Sequence, residues 1–264
     1  MGYFGVGRSA AKALVVAALL TASSIGNGWA ADPDALWKIV HDRCVPGERE
    51  HGDPKPCALV YLAGGATQGY AALRDLNGVA QYLLIPTERI TGIEDAALLQ
   101  SEVPNFFAAA WDARKLVSTK LGRQLPRDAY GLVINSVQGR TQEQLHIHID
   151  CIRTDVRDQI RAHAGEVGGA WAVFPIPLAG RSYEALRVSG KRLGSNDPFK
   201  LLASGVTGTS SDMGLHTLIV TRTFINGQPG FLLLDRRVTR KEGDRGNGTE
   251  LLDRACGSAT EQAP

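Results

Sequence analysis

The residues best suited to catalysis lie in one short segment, 142–151, whose sequence is QEQLHIHIDC. Alternate side chains of a β-strand share one face, so a strand here would carry His146, His148 and Asp150 in a row on its polar face. Packing does not require such a row, and burying it unpaired would be costly. The segment therefore indicates a functional site, with a solvent-exposed strand face as the plainer alternative.

Two chemistries fit this row of side chains. Two histidines and a carboxylate could ligate a metal ion. Alternatively, one imidazole could attack phosphorus while its neighbours set its tautomer and protonate the leaving group. The spacing of the three residues does not distinguish between these chemistries, but the sequence before them does.

The residues upstream favour attack on phosphorus. Asn135 and Gln142 precede His146 by 11 and four residues, and a glycine-containing turn, 136–140, lies between them. This order resembles the histidine triad (HIT) superfamily, in which Asn, a glycine-containing loop and Gln precede three histidines at alternate positions. The third position of the triad differs here, because Asp150 stands in place of a histidine.

The longer pattern is similar to one branch of that superfamily, the bacterial CDP-diacylglycerol pyrophosphatases. The similarity rests on the segments LLIPTERITGIED and LHIHIDCIRTDV and on the N-terminus, and it runs through most of residues 32–255. It implies an enzyme that hydrolyses CDP-diacylglycerol to CMP and phosphatidate at the periplasmic face of the inner membrane.

The resemblance also implies a role for each polar side chain of the row. His148 would be the nucleophile and form a covalent cytidylyl-histidine, while His146 would bind a phosphate oxygen or a backbone carbonyl. Asp150 would orient His148 or a water molecule, or donate a proton if its pKa is raised. A second alignment matches Gln144, His146 and His148 to the triad and makes His146 the nucleophile. The spacing from Asn135 favours His148.

The expected substrate contacts are amide, hydroxyl and guanidinium groups near the histidines. For each of them the alternative is a polar residue that only stabilises a turn or is solvated. No carboxylate cluster accompanies the motif, so neither a metal ion nor a cofactor is expected. The expected contacts are Asn135, Gln142, Arg140, Thr141 and Arg89, whereas His41, His51, His163 and His216 lie in no motif and receive no role.

Two other classes of function remain open. One is an exported HIT-like hydrolase or nucleotidyltransferase that acts on soluble nucleoside diphosphate conjugates. The other is a non-enzymatic periplasmic module that binds a metal ion or another ligand through His146 and His148.

The composition is that of a folded protein without a nucleic-acid partner. Of the 264 residues, 44% are hydrophobic and 21% are charged, which excludes disorder, collagen and coiled coil. Arg8 and Lys12 are the only charged residues among the first 30, so residues 31–264 contain 27 basic and 27 acidic side chains. A body without net charge argues against nucleic-acid binding. Its length fits one catalytic domain, 31–264.

The N-terminus has the features of an export signal. Arg8 and Lys12 precede an apolar run, 13–20, and small residues fit cleavage after Ala30. The run is shorter than the roughly 20 residues that span a membrane, so residues 1–30 are either a cleaved signal peptide or an inner-membrane anchor. Both place the body at the periplasmic face of the inner membrane. A basic group could contact anionic lipids there or be a solvated loop; it comprises Arg236, Arg237, Arg240, Lys241 and Arg245.

Four cysteines in an oxidising compartment predict disulfides. Cys44 and Cys57 are 13 residues apart, with prolines and a glycine between them that suit a closed loop. Cys151 and Cys256 remain as the second pair. Although four cysteines allow three pairings, this is the pairing that we predict.

The patterns around the site predict an α+β fold, with a HIT-like antiparallel sheet, a long helix and a second set of C-terminal strands. The long helix is expected over 94–121, with a break near Pro104 as an option, and 71–77 fits either a helical turn or a strand. The sequence does not fix the oligomeric state, since 216–235 could replace strands supplied by a partner subunit. Strands are expected at 57–62, 81–86, 131–135, 142–152, 170–175, 183–186, 216–224 and 231–235, and shorter helices at 32–41 and 155–163.

Overall fold

A ten-stranded antiparallel sheet organises the described part of the chain in the computed structural model. The structure describes residues 1–3, 5, 32–206, 209–225, 227–239 and 243–257. The strands are β1 (Leu59–Tyr61), β2 (Tyr70–Arg74), β3 (Tyr82–Pro86), β4 (Tyr130–Ile134), β5 (Ile147–Ile152), β6 (Ala172–Val173), β7 (Glu184–Ser189), β8 (His216–Ile225), β9 (Gln228–Arg237) and β10 (Leu252–Asp253). Their order in the sheet is β1-β2-β3-β5-β4-β8-β9-β7-β6, and β10 pairs with β5.

The helices are short and lie on both faces of the sheet. Helix α1 (Ala35–Ile39) continues through a π-helical stretch, Val40–Cys44, into α2 (Val45–His51). The side chain of Asn105 begins α3 by accepting the backbone N–H of Ala108, which is the usual role of an N-cap residue. The remaining helices are α3 (Phe106–Ala113), α4 (Lys115–Leu121), α5 (Thr154–His163), α6 (Pro198–Gly205) and α7 (Thr209–Asp212), with 3₁₀ turns that include Ala96–Leu99, Arg127–Ala129 and Gly248–Leu251.

Residues 31–264 form one compact unit. The predicted signal peptide or anchor, 1–30, lies almost entirely outside the described residues, as do Arg240 and Lys241 of the basic group. Within the described ranges, no helix is both long and apolar enough to cross a membrane.

One face of the sheet packs against α3 and α4 in a continuous apolar core. Helix α3 contributes Phe106, Phe107 and Trp111, all buried against side chains of the central strands. Strand β5 contributes its odd-numbered residues to this core, because alternate side chains share a face. Those residues are Ile147, Ile149 and Cys151.

The other face of the sheet carries two separate apolar clusters. The first packs α1 and α2 on β2 and β3 and includes Leu83. The second packs α5 on β4, β8 and β9 and includes Val133. His148 pairs with Leu83 of β3 on one side and with Val133 of β4 on the other. The fold therefore places His148 on the strip of sheet between the two clusters.

The structure confirms the mixed α and β architecture with its large antiparallel sheet, and it corrects several predicted elements. Residues 142–146 are not strand, since β5 begins at Ile147. The predicted helix over 94–121 is a 3₁₀ turn followed by α3 and α4, which agrees with the break near Pro104. Residues 71–77 contain the end of strand β2, and the patterns did not predict α6, α7 or β10.

Both predicted disulfides are confirmed. Cys44 is bonded to Cys57 and joins the end of the π-helical stretch to the segment before β1. Cys151 of β5 is bonded to Cys256, so the end of the described chain is tied to the strand that carries His148. The second bond closes a long loop, 105 residues in sequence separation, and such closures stabilise the folded state mainly by restricting the unfolded chain.

The C-terminal segment also packs against the turn before the histidines. Ser136 donates its hydroxyl to the carbonyl of Arg245 and its backbone N–H to that of Gly246. A Cβ atom on Gly139 would lie 2.5 Å from the carbonyl oxygen of Gly246, so only glycine fits there. The glycine that the sequence motif contains is thus required by close approach of two backbones.

Candidate active site

The rings of His146 and His148 are in contact at the start of β5. Their ring centroids are 5.0 Å apart and the rings meet edge to face. His146 immediately precedes the strand and is 7% exposed, whereas the side chain of His148 is 13% exposed. The structure therefore brings the two imidazoles together, although His146 does not lie in the strand.

A backbone carbonyl fixes the tautomer of His146. The Nδ1 atom lies 2.8 Å from the carbonyl oxygen of Gln144, and a carbonyl oxygen can only accept, so Nδ1 carries the proton. Gln144 is itself buried and donates its amide to the carbonyls of Pro86 and Glu88. In the neutral ring, Nε2 of His146 is consequently left with a free lone pair.

An amide fixes the opposite tautomer of His148. Its Nδ1 atom lies 2.9 Å from Nε2 of Gln81, which also donates to Oδ2 of Asp75 at 2.5 Å. Reversing the amide would place its oxygen against the Asp75 carboxylate, so the amide nitrogen of Gln81 faces both partners. Nδ1 of neutral His148 is therefore an acceptor, and its proton is on Nε2.

Both imidazoles are neutral near pH 7. Burial lowers the pKa of His146, although its bond to the Gln144 carbonyl opposes this effect. Burial lowers the pKa of His148 well below its usual value, and the neighbouring His146 and the charge of Arg254 add to the shift. The carboxylate of Asp75 is 3.9 Å from Nδ1 of His148, too far for a direct hydrogen bond.

Asp150 is fully buried on the same face of β5. Its Oδ1 atom accepts the backbone N–H of Cys151, and Oδ2 has no hydrogen-bond partner among the described residues. Cys256 Sγ lies 3.3 Å from Oδ1 but is in a disulfide and carries no hydrogen to donate. Burial raises the pKa of Asp150 to about 7. Asp150 can therefore hold a proton at neutral pH.

Arg254 supplies positive charge to this strip of the sheet. It follows β10, and its carbonyl accepts the backbone N–H of Val79 in the turn between β2 and β3. The side chain is exposed and close enough to affect the pKa values of both His148 and Asp150. A guanidinium in this position suits the oxygens of a diphosphate.

Two of the expected substrate contacts line a narrow crevice together with His146. They are Asn135 and Arg140. Asn135 accepts the backbone N–H of Gly248 through its side-chain oxygen. The Arg140 guanidinium is almost fully buried and bonded to Glu94 at 2.6 Å and Glu143 at 2.7 Å. Arg140 therefore stabilises the turn before the histidines through these two ion pairs.

The other three expected contacts lie toward the N-terminal helix. Gln142 accepts the backbone N–H of Leu36 and donates to the carbonyl of Asp32, so its amide holds the start of α1. Arg89 pairs with Asp34 and lies over the ring of Trp37. Thr141 is exposed. The role of each residue in substrate binding stays a prediction.

The sequence reasoning missed Asp75, Gln81 and Arg254. Asp75 and Gln81 flank the turn between β2 and β3, and Arg254 follows a two-residue strand. A polar Gln two residues before Leu83 was the one available signal, because alternate residues share a face of the sheet and Leu83 is the partner of His148. Nothing in the local sequence indicated Arg254, since its position depends on a distant strand pairing.

One described group of three potential metal ligands lies close to the histidines. The ligand atoms of Asp150, Cys151 and Cys256 lie within 4.8 Å of one another. Both sulfur atoms belong to one disulfide, so neither can act as a thiolate ligand.

Fold and site together define a mixed α and β protein with a pair of neutral histidines at the start of a central strand. The chain matches the family CDH, CDP-diacylglycerol pyrophosphatase, over residues 31–260. A CDP-diacylglycerol pyrophosphatase of Yersinia pestis is 38% identical over 243 residues, which cover 92% of each chain. The chain belongs to the CDP-diacylglycerol pyrophosphatase family. The predicted family is thus confirmed, while the relation to the HIT superfamily stays a prediction.

Proposed function

We propose that this protein hydrolyses the diphosphate bond of CDP-diacylglycerol to give CMP and phosphatidate. Its family and the name of its relative support the substrate. The observation that carries the chemistry is the fixed pair of tautomers. The two rings, whose centroids are 5.0 Å apart, carry a lone pair on Nε2 of His146 and a proton on Nε2 of His148, which supplies a nucleophile and a hydrogen-bond donor at one site.

In the first step, Nε2 of His146 attacks the phosphorus that carries cytidine. The N–P bond forms as the bond from phosphorus to the bridging oxygen breaks, and the electron pair leaves with phosphatidate. The Gln144 carbonyl stabilises the charge that develops on the ring, because Nδ1–H stays bonded to it. His148 donates a hydrogen bond from Nε2–H to the departing phosphate oxygen and keeps its proton, so phosphatidate leaves as the anion.

In the second step, a water molecule attacks the cytidylyl group on His146. The N–P bond breaks, its electron pair returns to Nε2, and the water releases a proton to solvent as CMP departs. The sum of both steps consumes one water and one CDP-diacylglycerol. Phosphatidate needs less protonation than an alkoxide, because a phosphate monoester is the better leaving group.

His148 is the alternative nucleophile, favoured by the spacing of the sequence motif. Attack by its Nε2 would require the proton to move to Nδ1, which faces the amide nitrogen of Gln81. Asp75 holds that amide in place. A proton on Nδ1 would therefore face the N–H of Gln81, and two hydrogen-bond donors would meet without an acceptor. We therefore assign the nucleophile to His146 and the donor to His148, and labelling of the intermediate distinguishes the two assignments.

The turn between β2 and β3 supports a lipid substrate over a soluble one. Asp75 and Gln81 at its base contact each other and face His148, while Leu76 and Val79 near its tip are exposed to solvent. Apolar side chains in this position give the acyl chains of CDP-diacylglycerol a surface close to the histidines. Arg254 beside the turn would meet the diphosphate.

Product identification tests the reaction. We expect purified protein to release CMP and phosphatidate from CDP-diacylglycerol in vesicles, and to act far more slowly on CDP-choline. His146→Ala should remove the activity, and His51→Ala, which changes an exposed histidine, should retain it. Equal rates on CDP-choline would favour a soluble nucleotide substrate, and tight metal binding without hydrolysis would favour a binding module.

The lipid preference has its own test in Leu76→Asp. The exposed side chain makes the fold tolerant of this change. We expect the apparent KM for vesicle-bound CDP-diacylglycerol to rise about tenfold, while kcat/KM for a short-chain, soluble form stays unchanged. Equal effects on both substrates would contradict a lipid contact at this turn.

We further propose that the body works at the periplasmic face of the inner membrane. The basic and apolar residues before Ala30 support export. Two disulfides are typical of an oxidising compartment. Protease accessibility in spheroplasts tests this proposal: degradation of the body without lysis supports it, and protection until lysis contradicts it. Sequencing of the mature N-terminus then distinguishes cleavage, with a start at residue 31, from an anchor, with segment 1–30 retained.

A further inference from the structure

The segment 253–257 is tied to the sheet by a short strand and by one covalent bond. Strand β10 has two residues, and Asp253 at its end pairs with Cys151 of β5. The carboxylate of Asp253 then accepts the backbone N–H groups of Ala255 and Gly257, so the chain forms a tight turn. Arg254 is the exposed cation of this turn.

The covalent bond is the disulfide from Cys256 to Cys151, and both sulfur-bearing residues are buried. The backbone φ angle of Cys256 is 47°, in the left-handed region that a residue with a Cβ atom rarely adopts. Such a conformation persists only where the surrounding contacts hold it. Without the bond, the turn is free to relax, and Arg254 moves with it because it lies two residues earlier.

The backbone of Arg254 packs against the turn that carries Gln81. Its carbonyl accepts the backbone N–H of Val79 at 2.9 Å. A Cβ atom on Gly78 would lie 3.2 Å from that carbonyl oxygen and 3.4 Å from Cβ of Gln81. Gly78 therefore fits between Arg254 and Gln81, the residue whose amide contacts Nδ1 of His148.

The charge of Arg254 acts on the strip of sheet that carries His148. Burial and the neighbouring His146 lower the pKa of His148, and the charge of Arg254 lowers it further. The same charge opposes the larger effect of burial on the pKa of Asp150. A guanidinium here can bind phosphate oxygens, and it contributes most when its position is fixed before the substrate binds.

We propose that the disulfide between Cys151 and Cys256 is a positioning element of the active site, which holds Arg254 where its guanidinium meets the diphosphate of the substrate. This inference rests on the proposed function, because the diphosphate belongs to the substrate named there. Protein in which these two thiols are reduced keeps the histidine pair but lacks the contact. The bond from Cys44 to Cys57 lies in the apolar cluster under α1 and α2 and is the matched control.

A double-mutant cycle tests whether the bond acts through Arg254. We expect Cys151→Ala/Cys256→Ala to raise the KM for CDP-diacylglycerol about tenfold and to change kcat by less than about twofold. Added to Arg254→Ala, it should raise the KM no further, because the contact is already lost. Cys44→Ala/Cys57→Ala should leave the KM unchanged, and thermal melting checks that each variant is folded. Independent, additive increases in KM would overturn the proposal, since the bond would then act only through the fold.

A measurement without substrate separates this proposal from the proposed function. The titration of His148 is followed by NMR on the full chain with isotope-labelled histidine. In Cys151→Ala/Cys256→Ala it should move to higher pH, because a positive charge that lowers the pKa of His148 has moved away. An unchanged titration in the folded variant would overturn the proposal. A shifted titration in a protein that does not hydrolyse CDP-diacylglycerol would leave Arg254 positioned by the bond and contradict only the proposed substrate.

A milder variant tests the same turn if the loss of the bond prevents folding. Arg123 is exposed and donates to the carbonyl of Cys256 at 2.6 Å, so it supports the turn from outside the core. Arg123→Ala should raise the KM about threefold, and not at all when Arg254→Ala is already present. Arg49→Ala, which changes an exposed arginine on α2, should have no effect. A threefold increase that persists beside Arg254→Ala would contradict a role of this turn in positioning Arg254.

Discussion

The histidine pair and His216 are both buried, yet their surroundings shift their pKa values in opposite directions. His216 lies in β8, is 1% exposed, and has Nδ1 2.8 Å from Asp235 and Nε2 3.4 Å from Asp212. Burial lowers its pKa, but the bonds and charges of the two carboxylates outweigh this effect and raise it. His146 and His148 face a carbonyl and an amide instead, and burial lowers the pKa of each.

The comparison shows that the partner of a buried imidazole decides what the imidazole can do. A carboxylate favours the protonated ring, and the bond from His216 to Asp235 joins strands β8 and β9, which serves the fold. A neutral carbonyl or amide fixes a tautomer without adding charge, and only a neutral imidazole has the lone pair that attacks phosphorus. The following predictions test this contrast, beginning with the largest expected effect.

His146→Ala should reduce kcat for CDP-diacylglycerol by several orders of magnitude, on the order of 5 kcal/mol of barrier or more, because the nucleophile is lost. His148→Ala should cost less, about 10²–10³ in kcat, as expected for loss of a donor. Steady-state rates of both variants against His51→Ala check this order. A larger loss in His148→Ala than in His146→Ala would reverse the assignment.

Asp150 should make the stability of the protein depend on pH. Its pKa is about 7 in the fold against 3.8 ordinarily, so the protonated form stabilises the folded state. That contribution is complete below about pH 4 and is lost as the pH rises through 7, and the difference corresponds to at most about 4 kcal/mol. Denaturant unfolding from pH 4 to pH 8 should show wild type losing stability relative to Asp150→Asn. Parallel curves for the two proteins would contradict a buried, protonated Asp150.

His216→Ala should destabilise the fold by about 3 kcal/mol, since it leaves the buried carboxylate of Asp235 without its partner. Its kcat should stay close to that of wild type, because His216 is outside the histidine pair. Urea unfolding and hydrolysis assays on the same sample measure both quantities. A large loss of kcat at unchanged stability would place His216 in the reaction.

Arg254→Ala should lower kcat/KM about tenfold, or about 1.4 kcal/mol, through weaker binding of the diphosphate. Arg49→Ala is the matched control on an exposed helix. The pH profile should also change, because the charge of Arg254 contributes to the low pKa of His148. An unaltered KM and pH profile would contradict a contact between Arg254 and the diphosphate.

The sequence predicted the chemistry of the site better than its geometry. The segments LLIPTERITGIED and LHIHIDCIRTDV, together with the N-terminus, were sufficient to predict the family, and the four cysteines were sufficient to predict two disulfides. The alternation of polar and apolar residues also predicted which face of β5 holds His148 and Asp150. It placed His146 in the same strand, however, and the strand starts one residue later.

The hydrogen-bond partners could not be predicted, because they come from distant parts of the chain. Gln81 lies 67 residues before His148 and reaches it only through the pairing of β3 with β5. Arg254 reaches the site through β10, a strand of two residues that no periodicity reveals. His216 had no motif around it, and its ion pair with Asp235 depends on the register of β8 and β9. Tautomer and charge state follow from these contacts and therefore require the fold.

The most direct test of the central claim is to trap and locate the covalent intermediate. Wild-type protein is mixed with CDP-diacylglycerol labelled in the cytidine phosphate, quenched in base and digested, and the labelled peptide is sequenced by mass spectrometry. Our account predicts a base-stable, acid-labile phosphoramidate on His146 and none on His148. Label on His148 would contradict the assignment from the hydrogen bonds, and release of CMP without any labelled protein at the shortest times would contradict the covalent mechanism itself.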